Sequence, residues 1–175
     1  MIEDDKTPIR SGYEGTESQP FTLSNISLSL DQLKEIKSKL GVTINDVICG
    51  MIFYGIRLYM EEMNEKTKKS NSTAVAVAKI IYNTLGNSSV VISNLVGPVE
   101  NMALANHPIN GLYFTMTGGP ENVDITIMSY VKILRITMRT LKGFIDEQKF
   151  KFCMEKAIEV IFKAAMDISE IPTKN

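Results

Sequence analysis

The sequence is poor in the residues that build metal centres and redox sites. It contains one histidine, His107, two cysteines, Cys49 and Cys153, and no tryptophan. A zinc site built on several histidines is therefore excluded, and so is a catalytic pair of histidines. The cysteines are too far apart for a C-x-x-C site and too few for a disulfide scaffold, which predicts a reducing compartment.

An excess of one charge and long apolar runs are also lacking. Nineteen Lys and Arg residues stand against 20 Asp and Glu residues, giving a net charge of −1, which excludes the basic surface of a nucleic-acid binder. No apolar run approaches the length of about 18 residues that spans a bilayer. The acidic start at residues 1–5 differs from a signal peptide. We therefore expect an intracellular globular protein that is soluble or peripheral to a membrane.

The first forty residues predict an arm, a strand and a helix. Residues 1–20 are polar, with little periodicity, and are typical of an extended arm or interdomain linker. Residues 21–29 alternate apolar and polar side chains, which predicts a strand with one buried face. Ser29 is a typical N-cap for a helix over residues 30–40, because Gln32 follows at capping-box spacing.

A second helix is predicted over residues 44–63, and it is apolar nearly all round. Thr43 would cap it, and a helix of this pattern belongs inside a core. Its small residues would allow a neighbouring element to approach closely: Cys49, Gly50 and Gly55. Residues 61–73 are polar, as in a linker or the scar of a missing segment. Residues 74–85 suit a helix or a strand, and their alanines and the following Gly86 favour a helix.

The second half of the chain has the two-residue period of strands. A short buried strand is predicted at residues 90–92. Three more are expected to form an antiparallel meander: residues 112–117, 123–128 and 133–140. A final helix over residues 147–167, capped by Asp146, is predicted to carry one apolar face. Its residues are Phe150, Cys153, Met154, Ala157, Val160, Ile161, Ala164 and Ala165. These elements predict an α+β fold, an α/β sandwich in which antiparallel strands pack on helices.

Three segments are candidates for chemistry. Asp46, early in the second helix, is interpreted first as a capping residue and second as an orienting carboxylate near an active site. Residues 93–98, Ser-Asn-Leu-Val-Gly-Pro, suit either a turn or a ligand-binding strand end, and composition does not decide between them. His107 has no recognisable orienting carboxylate or nucleophile, which favours a structural role or none.

Taken together and in order, several segments resemble the C-terminal half of plant wax ester synthase/diacylglycerol acyltransferases. They are residues 43–48 (Thr-Ile-Asn-Asp-Val-Ile), 92–100 (Ile-Ser-Asn-Leu-Val-Gly-Pro-Val-Glu) and 105–109 (Ala-Asn-His-Pro-Ile). Residues 129–146 and the closing helix are similar to the end of the same family. The resemblance extends over nearly all of the chain from about Asp5 onward.

The resemblance implies a fold and a reaction. The fold would be half of a CoA-dependent acyltransferase of the chloramphenicol acetyltransferase-like type, with the active site between two related halves. The reaction would transfer a fatty acyl group from acyl-CoA, as co-substrate, to a long-chain alcohol or diacylglycerol. No metal and no further cofactor is implied. The family also suggests a peripheral location at the endoplasmic reticulum or plasma membrane.

The resemblance assigns residues to the walls of a cleft, but no catalytic residue. The family's Asn-Asp pair and Ser-Asn-x-x-Gly-Pro segment match these cleft-shaping positions: Asn45, Asp46, Ser93, Asn94, Gly97 and Pro98. The family's catalytic His-His-x-x-x-Asp-Gly motif, which belongs to its N-terminal half, is absent from these 175 residues. His107 does not match that motif in its neighbours or its place.

The resemblance also implies that the chain is shortened. The stretch from residue 47 to residue 92 is far shorter than in the family, so residues 21–172 are interpreted as the acyltransferase C-terminal domain with an internal deletion near residues 61–73. We therefore expect no turnover by this chain alone. The alternative is a non-catalytic module that pairs with an N-terminal half or a full-length homologue, or binds acyl chains.

Overall fold

The computed structural model describes residues 7–12, 15–65, 90–117, 119 and 121–167. These described residues form three helices and six strands, with a short 3-10 turn at Thr16–Ser18. In chain order they are β1 (Phe21–Ser29), α1 (Leu30–Leu40), α2 (Ile44–Glu65), β2 (Val90–Leu95), β3 (Ala103–Leu104), β4 (His107–Pro108), β5 (Val123–Tyr130), β6 (Ile133–Leu141) and α3 (Glu147–Met166).

The predicted helix starts are confirmed by their capping bonds. The Ser29 hydroxyl accepts a hydrogen bond from the Gln32 backbone N–H, and α1 ends at Gly41 with a φ of 67°. The Asp146 carboxylate accepts from the Lys149 backbone N–H at the start of α3. Short polar side chains at these positions satisfy amides that the helix itself leaves unpaired, which is why the boundaries can be predicted from sequence.

Four strands form one sheet in the order β1-β6-β5-β2. The β1–β6 and β5–β6 pairs are antiparallel, whereas β2 runs parallel to β5. The predicted meander is therefore wrong in its first strand, since residues 112–117 form no strand. Because β2 occupies that edge of β5, this segment crosses the sheet face instead, where the Thr126 hydroxyl donates to the Phe114 carbonyl.

The core lies between the sheet and helices α1, α2 and α3. Alternate residues of β1, β6 and β5 face the helices, and the centre of α2 is buried with them. Tyr59 of α2 meets Phe150 of α3 edge to face, with ring centroids 5.1 Å apart. The Tyr59 hydroxyl accepts a hydrogen bond from the Asp146 backbone N–H at 3.2 Å, which links the middle of α2 to the start of α3.

The close approach predicted for small residues of α2 occurs at Gly55 but not at Gly50. A Cβ at Gly55 would lie 2.3 Å from the Met154 sulfur, whereas nothing lies within 4 Å of one at Gly50. The apolar face predicted for the last helix is wrong at two positions, since Val160 and Ala164 are exposed. Alanine and one valine cost little in water, so the apolar pattern alone was an ambiguous guide to burial.

The two polar segments predicted as linkers differ in structure. Part of the N-terminal arm packs on the domain: Ile9 is buried, and the Ser11 hydroxyl donates to the Asn122 side chain at 3.2 Å. Residues 61–65 continue α2 as helix. The helix predicted over residues 74–85 lies outside the described residues.

Candidate functional site

Two asparagines that are distant in the sequence meet where β2 ends and α2 begins. The side-chain amide of Asn94 donates to Oδ1 of Asn45 across 3.2 Å. Strand alternation puts Asn94 on the same, helix-facing side of β2 as Ile92, and Asn45 lies in the first turn of α2. Both residues are exposed, so the amide groups outside this bond are open to solvent.

The asparagine pair can bind polar groups but cannot take up a proton. An asparagine side chain offers two N–H donors and one carbonyl acceptor, and it does not ionise near neutral pH. With one donor of Asn94 and the carbonyl of Asn45 facing each other, the Asn45 NH₂ group and the Asn94 carbonyl remain for a ligand. The pair can therefore orient a carbonyl, hydroxyl or amide group.

Asp46, next to Asn45, serves as the helix cap that the first sequence interpretation favoured. Its Oδ2 accepts hydrogen bonds from the backbone N–H and the hydroxyl of Thr43, at 2.9 and 2.7 Å. In return, the Thr43 hydroxyl accepts from the Asp46 backbone N–H at 3.2 Å. These bonds, first the one from the hydroxyl, lower the pKa of Asp46. This reciprocal capping box fixes where α2 begins and thereby positions Asn45.

Gly97 and Pro98 fasten the segment that follows β2. The Gly97 N–H donates to the Ser129 hydroxyl at 3.1 Å, and the Pro98 carbonyl accepts from the Val131 N–H at 2.9 Å. A Cβ at Gly97 would lie 1.8 Å from the Ser129 carbonyl oxygen. Glycine is required here because a side chain would collide with backbone that cannot move aside cheaply.

The six cleft positions predicted from the sequence are divided between two faces of the sheet. Ser93 precedes Asn94 in β2, so strand alternation turns its side chain to the opposite face, where its register partner is Thr126. Asn45 and Asn94 are in contact, Asp46 is their neighbour, and the backbone of Gly97 and Pro98 lies just beyond. Ser93 does not join this group.

His107 lies in the tight hairpin formed by β3 and β4 and is exposed. It pairs with Leu104 across the hairpin, and Ala105 and Asn106 form the turn with positive φ angles of 49° and 64°. Asparagine tolerates the left-handed region better than most residues, which suits this turn. His107 is thus an exposed residue of a hairpin.

A buried ion pair on the sheet face opposite the helices was missed from the sequence. Asp124 of β5 and Arg139 of β6 are register partners, and their side chains are hydrogen-bonded and only 4% and 6% exposed. The Arg139 guanidinium lies 3.2 Å from the centroid of the Phe21 ring. Burial raises the pKa of Asp124, and Arg139 opposes this rise. The alternation of polar residues along β5 and β6 was a signal for such a face, but not for its burial.

A small pocket of about 250 Å³ opens beside this ion pair. Its lining mixes backbone, apolar and acidic groups: Val91, Met116, Thr117, Gly119, Glu121 and Asp124. Asp124 is already paired with Arg139, so this carboxylate of the lining is not a free base. A second depression, of about 240 Å³, lies between α2 and α3 and includes the buried thiol of Cys153.

No group of three or more His, Cys, Asp or Glu side chains suited to a metal ion occurs among the described residues. None of the described helices alone has the length and apolar composition of a membrane span, and only α1 and α2 together, bent by 97°, meet those criteria.

The sequence matches one family model, described as the WS/DGAT C-terminal domain, over residues 59–162. That range includes β2, the Ser93–Pro98 segment and most of α3, whereas Asn45 and Asp46 lie just before it. The matched residues make up more than half of the chain.

Curated relatives from Arabidopsis thaliana are similar over different parts of the chain. Wax ester synthase/diacylglycerol acyltransferase 4 is 33% identical over 76 residues, which is 39% of this chain and 15% of the relative. Wax ester synthase/diacylglycerol acyltransferase 5 is 27% identical over 246 residues, which is 87% of this chain and 48% of the relative. The chain therefore spans less than half the length of these relatives.

Solved structures share the fold at low sequence identity. A wax ester synthase/diacylglycerol acyltransferase from Marinobacter aquaeolei VT8 superposes with a TM-score of 0.62 at 15% identity, covering 83% of this chain and 49% of that one. A condensation domain of the enacyloxin polyketide synthase gives 0.53 at 8% identity, covering 90% and 44%. The predicted mixed α/β fold, half of an acyltransferase fold of the chloramphenicol acetyltransferase-like type, is confirmed.

Proposed function

Because the chain belongs to the WS/DGAT C-terminal domain family, an acyltransferase family, we propose that it forms the C-terminal wall of an acyl-transfer cleft. In this proposal acyl-CoA is the donor, and a long-chain alcohol or diacylglycerol is the acceptor. The observation that carries it is the contact between Asn45 and Asn94, which joins two sequence motifs at one end of the sheet. The pair would orient a substrate carbonyl or hydroxyl.

We further propose that these 175 residues make no ester by themselves. Transfer of an acyl group to an alcohol needs a base for the hydroxyl proton, and loss of that base costs roughly 10² to 10⁴ in rate. The asparagines cannot serve, and Asp46 is held as a carboxylate of lowered pKa by its cap. The sole histidine, His107, sits in an exposed hairpin. The base would come from an N-terminal half.

An internal deletion is consistent with this proposal. The alignment with Arabidopsis wax ester synthase/diacylglycerol acyltransferase 5, called Arabidopsis relative 5 from here on, runs over 246 residues, although the chain has 175. The relative therefore carries residues that have no counterpart in this chain. We place the deletion near residues 61–73, after the part of the polar run that continues α2. Loss of part of a cleft wall would further impair positioning of the two substrates.

The test compares the chain alone with the chain combined with an N-terminal half. The purified chain is incubated with palmitoyl-CoA and either hexadecanol or diolein, and no ester above a heat-treated control is expected. The chain is then co-expressed with the N-terminal half of Arabidopsis relative 5, and ester formation by the co-purified pair is measured. We expect activity that Asn94→Ala lowers at least tenfold and that Gln148→Ala, an exposed amide on α3, leaves unchanged.

Two results would overturn parts of this proposal. Esterification by the chain alone that disappears in His107→Ala would refute the claim that these residues supply no base for the hydroxyl proton. Failure of the chain to co-purify with the N-terminal half, or a pair in which Asn94→Ala is fully active, would refute the half-domain role of the asparagine pair.

A second function, as a non-catalytic assembly module, is favoured by an exposed apolar strip beside the asparagine pair. Five side chains within ten residues are between 43% and 89% exposed: Leu95, Val96, Val99, Met102 and Leu104. Apolar groups gathered in this way mark interaction surfaces. In this role the strip would pack against a full-length homologue. The complex would lie at the periphery of the endoplasmic reticulum or plasma membrane.

The assembly function predicts a stable complex that has no effect on turnover. Mixing the chain with full-length Arabidopsis relative 5 should give a one-to-one complex by light scattering, which Val96→Asp weakens and Phe152→Asp, an exposed apolar residue on α3, does not. Absence of a complex, or flotation of the chain with phospholipid vesicles in place of one, would refute pairing.

A further inference from the structure

Three consecutive residues at the end of β5 hold the segment that follows Asn94. The Ser129 hydroxyl accepts from the Gly97 N–H, and the Val131 N–H donates to the Pro98 carbonyl. Between them, the Tyr130 hydroxyl lies within hydrogen-bond distance of the next part of the same segment. Ser129, Tyr130 and Val131 are called the clasp from here on.

Tyr130 ties together both ends of the hairpin formed by β3 and β4. Its hydroxyl accepts from the Met102 N–H at 2.8 Å and donates to the Ile109 carbonyl at 3.0 Å. The Ile109 N–H in turn donates to the Met102 carbonyl at 2.9 Å. Tyr130 is 4% exposed, and both hydrogen bonds of its hydroxyl group are made within the protein. A buried hydroxyl satisfied in this way fixes the backbone around it.

Val131 keeps a backbone conformation that its side chain disfavours. Its φ is 55°, a region that β-branched residues rarely enter. Turns between antiparallel strands normally place Gly, Asn or Asp at such positions. The cost is compensated by contacts on both sides, since the Val131 N–H bonds Pro98 and the neighbouring Lys132 carbonyl accepts from the Leu30 N–H. Strained residues of this kind persist where the surroundings hold them.

The clasp lies directly beyond the register positions of the asparagine pair. Asn94 pairs with Ile127 and Leu95 with Met128 in the parallel β2–β5 ladder. The ladder therefore ends two residues before Tyr130, and beyond it the clasp bonds hold the chain after Asn94 against β5. Without them the end of β2 would be free to fray away from α2.

We propose that Ser129, Tyr130 and Val131 are positioning residues, which hold the 97–109 segment and so keep Asn94 within hydrogen-bond reach of Asn45. Their importance for catalysis rests on the proposed function, whereas the coupling to Asn94 does not. The clasp would act through hydrogen bonds to the backbone of that segment, two side chains and one backbone N–H contributing them, and would touch no substrate.

The coupling is tested on the ¹⁵N-labelled chain by nuclear magnetic resonance. The side-chain NH₂ signal of Asn94, assigned by its absence in Asn94→Asp, is compared with that in Asn45→Ala, where its acceptor is gone. We expect Ser129→Ala and Tyr130→Phe to move this signal at least halfway toward the Asn45→Ala position. Ser129→Thr, which keeps the hydroxyl, should leave it in place.

Amide exchange and a control variant separate positioning from general stability. Exchange at Gly97 should accelerate about fivefold or more in Ser129→Ala, and exchange at Met102 in Tyr130→Phe, as each loses one hydrogen bond. Ser38→Ala, which removes a hydroxyl bonded to the Lys34 carbonyl in α1, should change neither the exchange nor the Asn94 signal.

The outcomes decide the proposal independently of activity. An Asn94 signal unmoved in both Ser129→Ala and Tyr130→Phe overturns it, whether or not exchange accelerates, because the clasp would then be structural only. If the signal moves but the reconstituted pair makes no ester, the proposed function fails and the positioning role stands. If the pair is active, both variants should lower its activity and Ser129→Thr should restore it.

Discussion

Two glycines of α2 should respond in opposite directions to the same substitution. Gly50 lies on an exposed face with nothing within 4 Å of an added Cβ. At Gly55 the added carbon would lie 2.3 Å from the Met154 sulfur and 3.0 Å from the Met154 Cα. The sulfur can swing away, but the Cα belongs to the backbone of α3, so the two helices would have to separate.

The magnitudes follow from these two environments. Gly50→Ala should stabilise the protein by about 1 kcal/mol, the difference between alanine and glycine in a helix interior. Gly55→Ala gains the same helical preference but overpacks the α2–α3 contact, which costs about 1–3 kcal/mol. We therefore expect a net loss of about 1 kcal/mol, and a gap between the two variants of about 2 kcal/mol, or about 4–8 °C in Tm.

Urea unfolding followed by circular dichroism measures both variants, and a double-mutant cycle locates the cause. Met154→Ala alone should cost about 2–5 kcal/mol, because it removes a buried side chain. In the Gly55→Ala background the cost should fall by about 1 kcal/mol or more, since the two changes share one space. Gly55→Ala as stable as Gly50→Ala would refute the close packing of α2 on α3.

Three further predictions concern charged and reactive groups. Arg139→Met should lower the free energy of unfolding, measured in urea, by about 3–5 kcal/mol, because it leaves the buried Asp124 without its partner. Adding Asp124→Asn should recover at least half of that loss, and losses that simply add in the double variant would contradict the ion pair. Capping lowers the folded-state pKa of Asp46 below 3.8. The contribution of its carboxylate to the free energy of unfolding is therefore present at neutral pH and is lost as pH falls through that pKa. The difference in unfolding free energy between the original chain and Asp46→Asn should accordingly narrow below pH 3.8. Burial, with a smaller effect of the neighbouring Glu62 carboxylate, raises the pKa of Cys153 from 9.0 to about 11, so its thiolate fraction at pH 8 is about a hundredfold below that of an ordinary thiol. Burial also raises the pKa of Cys49, but this thiol is the less buried of the two, so iodoacetamide should modify Cys49 first, and equal rates would refute this.

Local signals in the sequence predicted the elements whose causes are local. The starts of α1, α2 and α3 follow from side chains that accept backbone N–H groups within three residues. The strand over residues 21–29 follows from alternation, and its predicted bounds are those of β1. A cap or an alternation needs no knowledge of distant residues, which is why these predictions are confirmed.

Features that depend on pairing between distant segments could not be predicted from the same signals. Residues 112–117 have strand-like composition, but the edge of β5 that they would need is taken by β2. The contact between Asn45 and Asn94 also depends on this parallel pairing, since the register decides where β2 ends relative to α2. The two motifs were recognisable in the sequence, whereas their meeting was not.

The same dependence explains why Ser93 and Asn94, adjacent in one motif, have different surroundings. A strand turns neighbouring side chains to opposite faces, so a motif on a strand end serves both sides of the sheet. Asn94 reaches the start of α2, and Ser93 shares its face with the buried Asp124–Arg139 pair. Rigidity on the Ser93 side and exposure on the Asn94 side are thus two consequences of one strand. A ligand bound at the asparagines would contact a β2 backbone that packing on the opposite face of the sheet already orders. Its binding free energy would therefore not be reduced by the cost of ordering that backbone.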